Sequence, residues 1–127
     1  MTLEKLDHFV LAVSDIDAIA TFYTTYLGME KRIFGEGRVA LHFGDQKINL
    51  HPAGWDYEPK ARVSTAGSAD LCFIVSERVE SLQTKLVHWG VEIIEGPVAR
   101  TGATGRLRSI YIRDPDGNLI ELSNRAE

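Results

Sequence analysis

Four side chains that could bind a divalent metal occupy matching points of an internal repeat in this chain. They are His8, Asn49, Asp70 and Glu121. A gap-free alignment of the two halves places His8 on Asp70, and the later segments KINLH and LIELS place Asn49 on Glu121. Because two copies of one module bring equivalent residues to equivalent positions, the repeat predicts related places for these side chains. Imidazole nitrogens and carboxylate or amide oxygens are donors that divalent metals accept.

The first half of the chain, residues 5–51, has the pattern of a strand, a helix and three more strands. Ser14 is a good N-cap, the apolar residues after it recur at helical spacing, and Gly28 can end the helix in the left-handed conformation. The predicted strands are short apolar segments with turn residues between them: 6–13, 30–34, 39–43 and 47–51.

The second half, residues 69–123, repeats this order. Its predicted helix covers 78–89 and ends at Gly90, and the DPDG segment at 114–117 predicts a type I turn. The polar stretch 97–106 is predicted to be a loop. The predicted strands are 70–75, 91–96, 107–113 and 118–122.

These elements predict an α+β fold of two βαβββ modules in tandem. We expect one domain over residues 1–127, with a Pro- and Gly-containing linker at about 52–68 between the modules. Side chains alternate along a strand, so residues that do not cover the helix point to the opposite face of the sheet. That face is free to curve into a cleft, and the candidate ligands are expected there.

Composition and charge favour a cytoplasmic globular protein. A chain of 127 residues with 44% hydrophobic residues can form one domain with a proper core. The net charge of −4 and the lack of a basic stripe argue against nucleic acid as a partner. No apolar run is long enough to span a membrane, and the N-terminal segment lacks the pattern of a signal peptide. Cys72 is the single cysteine, which excludes an internal disulfide.

Several segments resemble the vicinal oxygen chelate superfamily, which includes glyoxalase I, extradiol dioxygenases, fosfomycin-resistance thiol transferases and bleomycin-binding proteins. The most specific are LDHFVLAVSDIDAIATFY, YLGM and RDPDGNLIEL, and the resemblance extends over nearly the whole chain. Further segments, among them FGDQKINLH and EGPVARTG, are similar to the small glyoxalase-domain proteins. The resemblance implies paired βαβββ modules and a homodimer, in which modules of two chains can pair.

The resemblance also implies a metal centre at the four repeat positions. We expect His8, Asp70 and Glu121 to be ligands, and Asn49 to be a further ligand or to lie behind them. The expected cofactor is a divalent ion of Mn, Fe, Ni, Co or Zn. The metal would bind adjacent oxygens of a small metabolite and act as a Lewis acid, while Glu121 would move the proton in a glyoxalase-like reaction.

Two further residues are candidates with weaker support. His51 shares a strand face with Asn49, so His8, His51 and Glu121 form an alternative triad of the kind that binds Fe²⁺ and activates oxygen. His51 could instead lie behind the ligands. Arg100 belongs to the long polar stretch and could bind a substrate carboxylate, although a solvated loop residue is the more common role.

The sequence leaves two functions open. The leading hypothesis is a metal-dependent enzyme of the glyoxalase and dioxygenase type, related to lactoylglutathione lyase, with a small oxygen-rich substrate. The alternative is a small-molecule-binding protein without catalysis, like the bleomycin-binding proteins. Asn49 and Asp70 motivate this alternative, because glyoxalase I usually has Glu and His at these positions.

Overall fold

The computed structural model describes residues 1–126, which form two compact units. The first unit is Met1–Ser68, and the second begins at Ala69. Each unit contains one helix and one mixed four-stranded sheet, so the predicted α+β class and module order are confirmed. None of the helices in residues 1–126 has the length and apolarity needed to cross a membrane.

The first unit forms a sheet with the strand order β1-β4-β3-β2. Strand β1 runs parallel to β4, and the other neighbours are antiparallel. A parallel pair requires a long connection, which here consists of helix α1 and the two following strands. The elements are β1 His8–Val13, α1 Ile16–Leu27, β2 Glu30–Phe34, β3 Arg38–Phe43 and β4 Gln46–Pro52.

The second unit repeats this topology in the order β5-β8-β7-β6, again with one parallel pair, β5 with β8. Helix α2 is the equivalent of α1. The DPDG turn is confirmed, because the Gly117 N–H donates to the Asp114 carbonyl over 3.0 Å. The elements are β5 Asp70–Ile74, α2 Val79–His88, β6 Glu95–Thr101, β7 Arg106–Arg113 and β8 Leu119–Arg125.

Each unit buries an apolar layer of its own between helix and sheet. Ile19 and Tyr23 of α1 are fully buried, as are Val79 and Leu86 of α2. The sheets supply the other half of each layer, with the fully buried strand residues Val13, Leu41, Ile48, Ile110, Ile112 and Ile120. These strand residues lie on the sheet faces that the helices cover, away from solvent. Polar side chains of the same strands therefore lie on the opposite faces of the sheets.

Helix α1 begins one residue later than predicted. Its N-cap is Asp15, whose carboxylate accepts the Ala18 N–H over 3.0 Å, so Ser14 was the wrong choice. Both residue types are good N-caps, and sequence alone does not decide between neighbours of this kind. The predicted end is confirmed, because Gly28 has φ of 69°. That left-handed conformation carries a steric penalty for residues with a Cβ atom.

The largest disagreement concerns strand β6. The prediction placed a strand at 91–96 and a loop at 97–106, whereas the strand is Glu95–Thr101 and the four residues before Glu95 have no regular structure. The polar composition of 97–106 led to the wrong prediction, and Pro97, a residue that disfavours strands, lies within the observed strand. It is tolerated here because β6 is an edge strand with an irregular register between Glu95 and Val98.

Strand registers confirm the internal repeat at the level of single residues. In the first sheet Val10 lies beside Asn49, and in the second Cys72 lies beside Glu121. Two pairs earlier, His8 starts the first parallel ladder, and Asp70 starts the second. The gap-free sequence alignment therefore corresponds to equal backbone positions in the two sheets.

Candidate functional site

Glu121 lies in the middle of the second sheet and is half-buried. Its strand, β8, runs between β5 and β7, so Cys72 lies on one side of Glu121 and Tyr111 on the other. Its sequence neighbours Ile120 and Leu122 are buried in the apolar layer. Because side chains alternate, Glu121 lies on the opposite face of the sheet, as predicted.

Two serine hydroxyls hold the Glu121 carboxylate. The Ser109 hydroxyl donates to Glu121 Oε2 over 2.7 Å. The Ser123 hydroxyl donates either to the same oxygen, at 3.3 Å, or to the Ser109 oxygen, at 2.7 Å. Both serines are fully buried. Hydrogen bonds to a charged acceptor are stronger than those between neutral groups, so the carboxylate is oriented before any ligand binds.

The Glu121 carboxylate has hydroxyl donors and no cation. No lysine or arginine within residues 1–126 forms an ion pair with Glu121. A partly buried carboxylate normally gains a charged partner, because burial without one is costly. This arrangement leaves Glu121 open to a proton, a metal ion or a positively charged group of a ligand.

The two cross-strand neighbours of Glu121 are kept in their neutral forms. Burial raises the pKa of the Cys72 thiol, the Ser123 hydrogen bond opposes this effect, and the Glu121 charge adds to it. Burial also raises the pKa of Tyr111, against the hydrogen bond from Arg100. A thiol with a raised pKa is a weak nucleophile at neutral pH, so Cys72 is suited to lining the face rather than to covalent chemistry.

Asp70 lies on the same face as Glu121, at the start of β5. It pairs with Leu119, two residues before the Cys72–Glu121 pair along both strands. Its side chain is exposed, and it forms no hydrogen bond or ion pair within residues 1–126. The second unit therefore supplies two carboxylates on one sheet face, and neither forms an ion pair within residues 1–126.

His8 is the first unit's counterpart of Asp70. Its Nδ1 atom lies 2.7 Å from Asp7 Oδ2, and the ring is 43% exposed. The hydrogen bond from His8 lowers the pKa of Asp7. When Nδ1–H donates to this carboxylate, Nε2 carries a lone pair, which is the arrangement of a metal-binding histidine oriented by a carboxylate.

Asn49 is the first unit's counterpart of Glu121. Only 4% of it is exposed, and its Oδ1 atom is buried without a hydrogen-bond partner within residues 1–126. Buried polar atoms in folded proteins are nearly always paired, so an orphaned amide oxygen requires an explanation. A donor group or a cation from outside the unit would supply the missing partner.

The first unit also contains a cavity of about 480 Å³. Its walls come from β3, β4, the start of α1 and the segment after β4, and include Arg38, His51, Pro52, Trp55 and Tyr57. The volume is in the range of small-molecule sites, which begin at roughly 300 Å³. Trp55 and Tyr57 belong to the segment at about 52–68, which the sequence analysis predicted to be only a linker.

His51 lies at the wall of this cavity, where Arg38 occupies one of its ring nitrogens. Arg38 Nη2 donates to His51 Nε2 over 2.9 Å. Because a guanidinium can only donate, Nε2 is the acceptor, and the ring is neutral with its proton on Nδ1. Burial, followed by the charge of Arg38, lowers the pKa of His51. Arg38 thus competes with any metal for this nitrogen, and a ligand role for His51 stays a prediction.

Arg100 lies in strand β6, not in a loop. Its Nε donates to the Tyr111 hydroxyl over 2.8 Å, and one Nη donates to Glu95 over 2.8 Å. The guanidinium also lies over the Tyr111 ring, 5.3 Å from its centroid. These contacts compete with a substrate carboxylate, so the predicted binding role of Arg100 has no support beyond its position on the sheet face.

The structure brings the four predicted metal positions together as two pairs. His8 and Asn49 share a sheet face in the first unit, and Asp70 and Glu121 share one in the second. Their donor types fit a divalent transition metal. Across residues 1–126, however, no three side chains of His, Cys, Asp or Glu come close enough to hold a metal ion. A complete centre requires more donors than the pair within one unit.

Three residues of these faces were missed by the sequence analysis. Arg38 and Tyr57 were not predicted because their relevance depends on the β3–β4 register and on the path of the chain after Pro52. Ser109 was missed because a serine in an apolar strand has many structural roles. Strand alternation offers a usable signal for Arg38, since it places this residue on the face shared by His51.

Comparison of the sequence with protein-family models identifies the family of this chain. A family model described as the Glyoxalase/Bleomycin resistance protein/Dioxygenase superfamily matches residues 5–122. The chain belongs to this superfamily, and the resemblance seen in the sequence is confirmed.

Relatives of high identity cover almost the whole chain. Virulence protein STM3117 of Salmonella typhimurium is 53% identical over 123 residues, which are 97% of this chain and 85% of that protein. The crystal structure of that protein matches this chain with a TM-score of 0.96 and 52% identity. The match covers 99% of this chain and 100% of the other. The glyoxalase domain-containing protein RDO1 of Mycosarcoma maydis is 51% identical over 124 residues, 98% of this chain and 70% of that protein. An integron cassette protein from V. cholerae is 52% identical, with a TM-score of 0.96, and the match covers 99% and 98% of the two chains.

Proposed function

We propose that this protein is a metal-dependent enzyme that acts on a small, oxygen-rich metabolite. His8, Asp70 and Glu121 are its proposed metal ligands, and Glu121 is its proposed proton-transfer group. The superfamily contains lyases and dioxygenases as well as binding proteins. A glyoxalase-type isomerisation, as catalysed by lactoylglutathione lyase, is the first reaction to assay.

The environment of Glu121 is the observation that carries this proposal. Its carboxylate is oriented by Ser109, lies on a sheet face and lacks a cationic partner within residues 1–126. A carboxylate used only for stability would be expected to form an ion pair or to be fully exposed. A carboxylate that accepts and returns a proton must be fixed in position and free of a permanent cation.

In this proposal, neighbouring side chains position the proton acceptor Glu121 and the metal ligand His8. Ser109 and Ser123 hold Glu121 Oε2, and the Cys72 thiol and the Tyr111 hydroxyl also interact with this carboxylate. Oε1 is the oxygen proposed to accept the substrate proton. Asp7 contacts Nδ1 of His8 and orients the ring, and Nε2 is the nitrogen proposed to bind the metal. A divalent metal, when bound, would stabilise negative charge that develops on adjacent substrate oxygens.

Metal content tests the ligand assignment. Untagged protein purified without chelators is expected to retain about one transition metal per chain after reconstitution with Mn²⁺, Fe²⁺, Ni²⁺, Co²⁺ or Zn²⁺. His8→Ala and Glu121→Ala should both lose it, because removing one ligand typically lowers affinity by at least about tenfold. His42→Ala is the matched control, since His42 lies on the same sheet face outside the predicted set. Retention of metal in both ligand variants would reject the assignment.

Turnover tests the role of Glu121. Glu121→Gln keeps the shape of the side chain and removes its proton acceptor, so turnover of glutathione hemithioacetals should fall by roughly 100-fold or more. Glu95→Gln, also on this sheet but paired with Arg100, should change turnover by less than about twofold. No metal-dependent turnover of hemithioacetals or catechols by the wild-type protein would count against an enzyme of this type.

The alternative is a small-molecule-binding protein without catalysis, and Asn49 favours it. An amide stands where the repeat has Glu121 in the second unit, and its buried oxygen is suited to accepting a hydrogen bond from a ligand. Stoichiometric binding of a small molecule by protein free of metal, with no turnover, would select this function. A tightly held metal that depends on His8 would reject it.

We also propose a cytoplasmic homodimer, as the family likeness implies. Each unit presents exposed apolar side chains on its edge strand, such as Val10 on β1 and Ile74 on β5. Gel filtration with light scattering at micromolar concentration should give twice the mass of 14.1 kDa. A monomer under these conditions would remove the proposal.

A further inference from the structure

Arg38 is a half-buried cation without an acidic partner. Its guanidinium contacts the neutral imidazole of His51 and two aromatic rings. It forms no ion pair within residues 1–126. Its carbon Cζ lies 4.8 Å from the centroid of the Phe34 ring and 5.0 Å from that of Tyr57. These contacts hold the guanidinium plane in place, while its positive charge is not neutralised.

The surroundings of Arg38 add to the positive charge. Lys47 Nζ lies 4.1 Å from the centroid of the same Phe34 ring, and within residues 1–126 it forms no ion pair either. Glu36 is the acidic residue of the cavity wall, but it is exposed and makes no ion pair with Arg38. The electrostatic field at this wall therefore favours an anion.

The cavity beside Arg38 has the size and walls of a site for a flat molecule. Its volume is about 480 Å³, and Trp55 and Tyr57 line it together with apolar side chains. Trp55 is 57% exposed, so a flat molecule in the cavity can contact its ring. His51 carries its proton on Nδ1, because Nε2 accepts from Arg38, so the ring can also donate a hydrogen bond.

We infer that this cavity binds a small aromatic carboxylate. Arg38 would pair with the carboxylate, Trp55 and Tyr57 would contact the ring, and the neutral His51 would keep Arg38 in position. The site consists of residues of the first unit alone. It therefore does not depend on the proposed roles of Asp70 and Glu121, and it would serve an enzyme or a binding protein equally.

Titration of ¹⁵N-labelled protein with 1-naphthoate tests the inference. The indole N–H signals of Trp55 and Trp89 report separately on the two units, and a Trp55→Phe variant assigns them. We expect a saturable shift of the Trp55 signal and no shift of the Trp89 signal. The uncharged 1-naphthamide, which has nearly the same shape, should bind at least about tenfold more weakly, because it lacks the charge that Arg38 recognises.

Two arginine variants separate a specific site from general electrostatics. Arg38→Gln should weaken 1-naphthoate by about tenfold or more. Arg32→Gln removes the same charge from the same sheet, where Arg32 is paired with Glu30, and should change affinity by less than about twofold. Arg38→Lys keeps the positive charge but loses the planar guanidinium group, so its affinity should lie between those of the wild type and Arg38→Gln. This variant also keeps the test valid if Arg38→Gln does not fold.

Three results would overturn the inference. They are equal binding of 1-naphthoate and 1-naphthamide, equal losses in the Arg38 and Arg32 variants, and no saturable shift of the Trp55 signal at millimolar ligand. Metal content and hemithioacetal turnover do not enter this experiment. The proposed enzyme function can thus fail while the carboxylate site is supported, and the reverse is equally possible.

Discussion

The two units have the same backbone plan, yet the chemistry of their polar faces differs. At equal registers the first unit has His8 and Asn49, whereas the second has Asp70 and Glu121. The first face also carries Arg38 without an ion pair in the described residues, and the second carries a carboxylate in the same situation. Backbone register and the apolar layer are therefore repeated, while the polar face is free to diverge, because it contributes little to the core.

The strongest test of this comparison concerns the repeated core. Ile48 and Ile120 occupy equal positions and are both fully buried. We expect Ile48→Ala and Ile120→Ala each to lower the free energy of unfolding by about 3 kcal/mol, because both leave a cavity. Urea unfolding measures the change. Ile33→Ala, at a side chain that is 60% exposed, should cost less than about 1 kcal/mol. A threefold difference between the two core variants would show that the layers are not equivalent.

A somewhat smaller effect is expected at the hydroxyl that holds Glu121. Ser109→Ala removes a 2.7 Å hydrogen bond to the carboxylate and should lower the free energy of unfolding by about 2 kcal/mol. The first unit has no equivalent bond, so the prediction addresses what is particular to the second face. Ser76→Ala, at an exposed serine, should stay within about 0.5 kcal/mol in the same measurement. Equal effects for the two serines would contradict it.

Asn49 should tolerate an apolar replacement that another buried asparagine does not. Asn49→Leu removes an amide whose oxygen has no described partner, and should change the free energy of unfolding by less than about 1 kcal/mol. Asn118→Leu removes an amide bonded to Asp114 and to the Ala69 N–H, and should cost more than about 2 kcal/mol. Thermal unfolding compares the two variants. A large loss for Asn49→Leu would show that its amide is needed for folding rather than for a ligand.

The smallest expected effect is a pH dependence of the free energy of unfolding, which arises from His51 in the first unit. The pKa of His51 is lowered in the folded state, so below the ordinary value of 6.5 the unfolded chain binds more protons than the folded one. The free energy of unfolding should therefore fall as the pH drops below that value, and the loss should level off below the folded-state pKa. Arg38 is the charged group that contacts His51, and its charge lowers the pKa of His51 further. His51→Gln should flatten this part of the stability curve, and an unchanged slope in that variant would contradict the assignment.

The repeat explains why much of the fold could be predicted from the sequence. Two imperfect copies constrain each other, so the strand that contains Glu121 was supported by the one that contains Asn49. Local signals also served well where they were unambiguous, as at Gly28 and at the DPDG turn. They failed at β6, where a polar stretch indicated a loop and only the pairing with β7 decides that the segment is a strand.

The candidate site was harder to predict for a physical reason. His8, Asp70 and Glu121 were predicted because they occupy matching positions of the repeat and because the family resemblance implies a metal centre there. The role of Arg38 depends on what surrounds it, namely a neutral His51, two aromatic rings and no ion pair with a carboxylate of residues 1–126. Such a combination comes from four separate segments, and no local pattern in the sequence contains it.

Strand β6 also limits how the second sheet can grow. Pro97 has no N–H group to offer, and the register irregularity between Glu95 and Val98 interrupts the regular row of hydrogen-bonding groups on the outer side. Charged side chains on the same strand, Glu95 and Arg100, add a cost to the approach of another chain. An open edge of this length is otherwise a template for aggregation, so the proline and the irregular register of β6 protect the protein from uncontrolled strand addition.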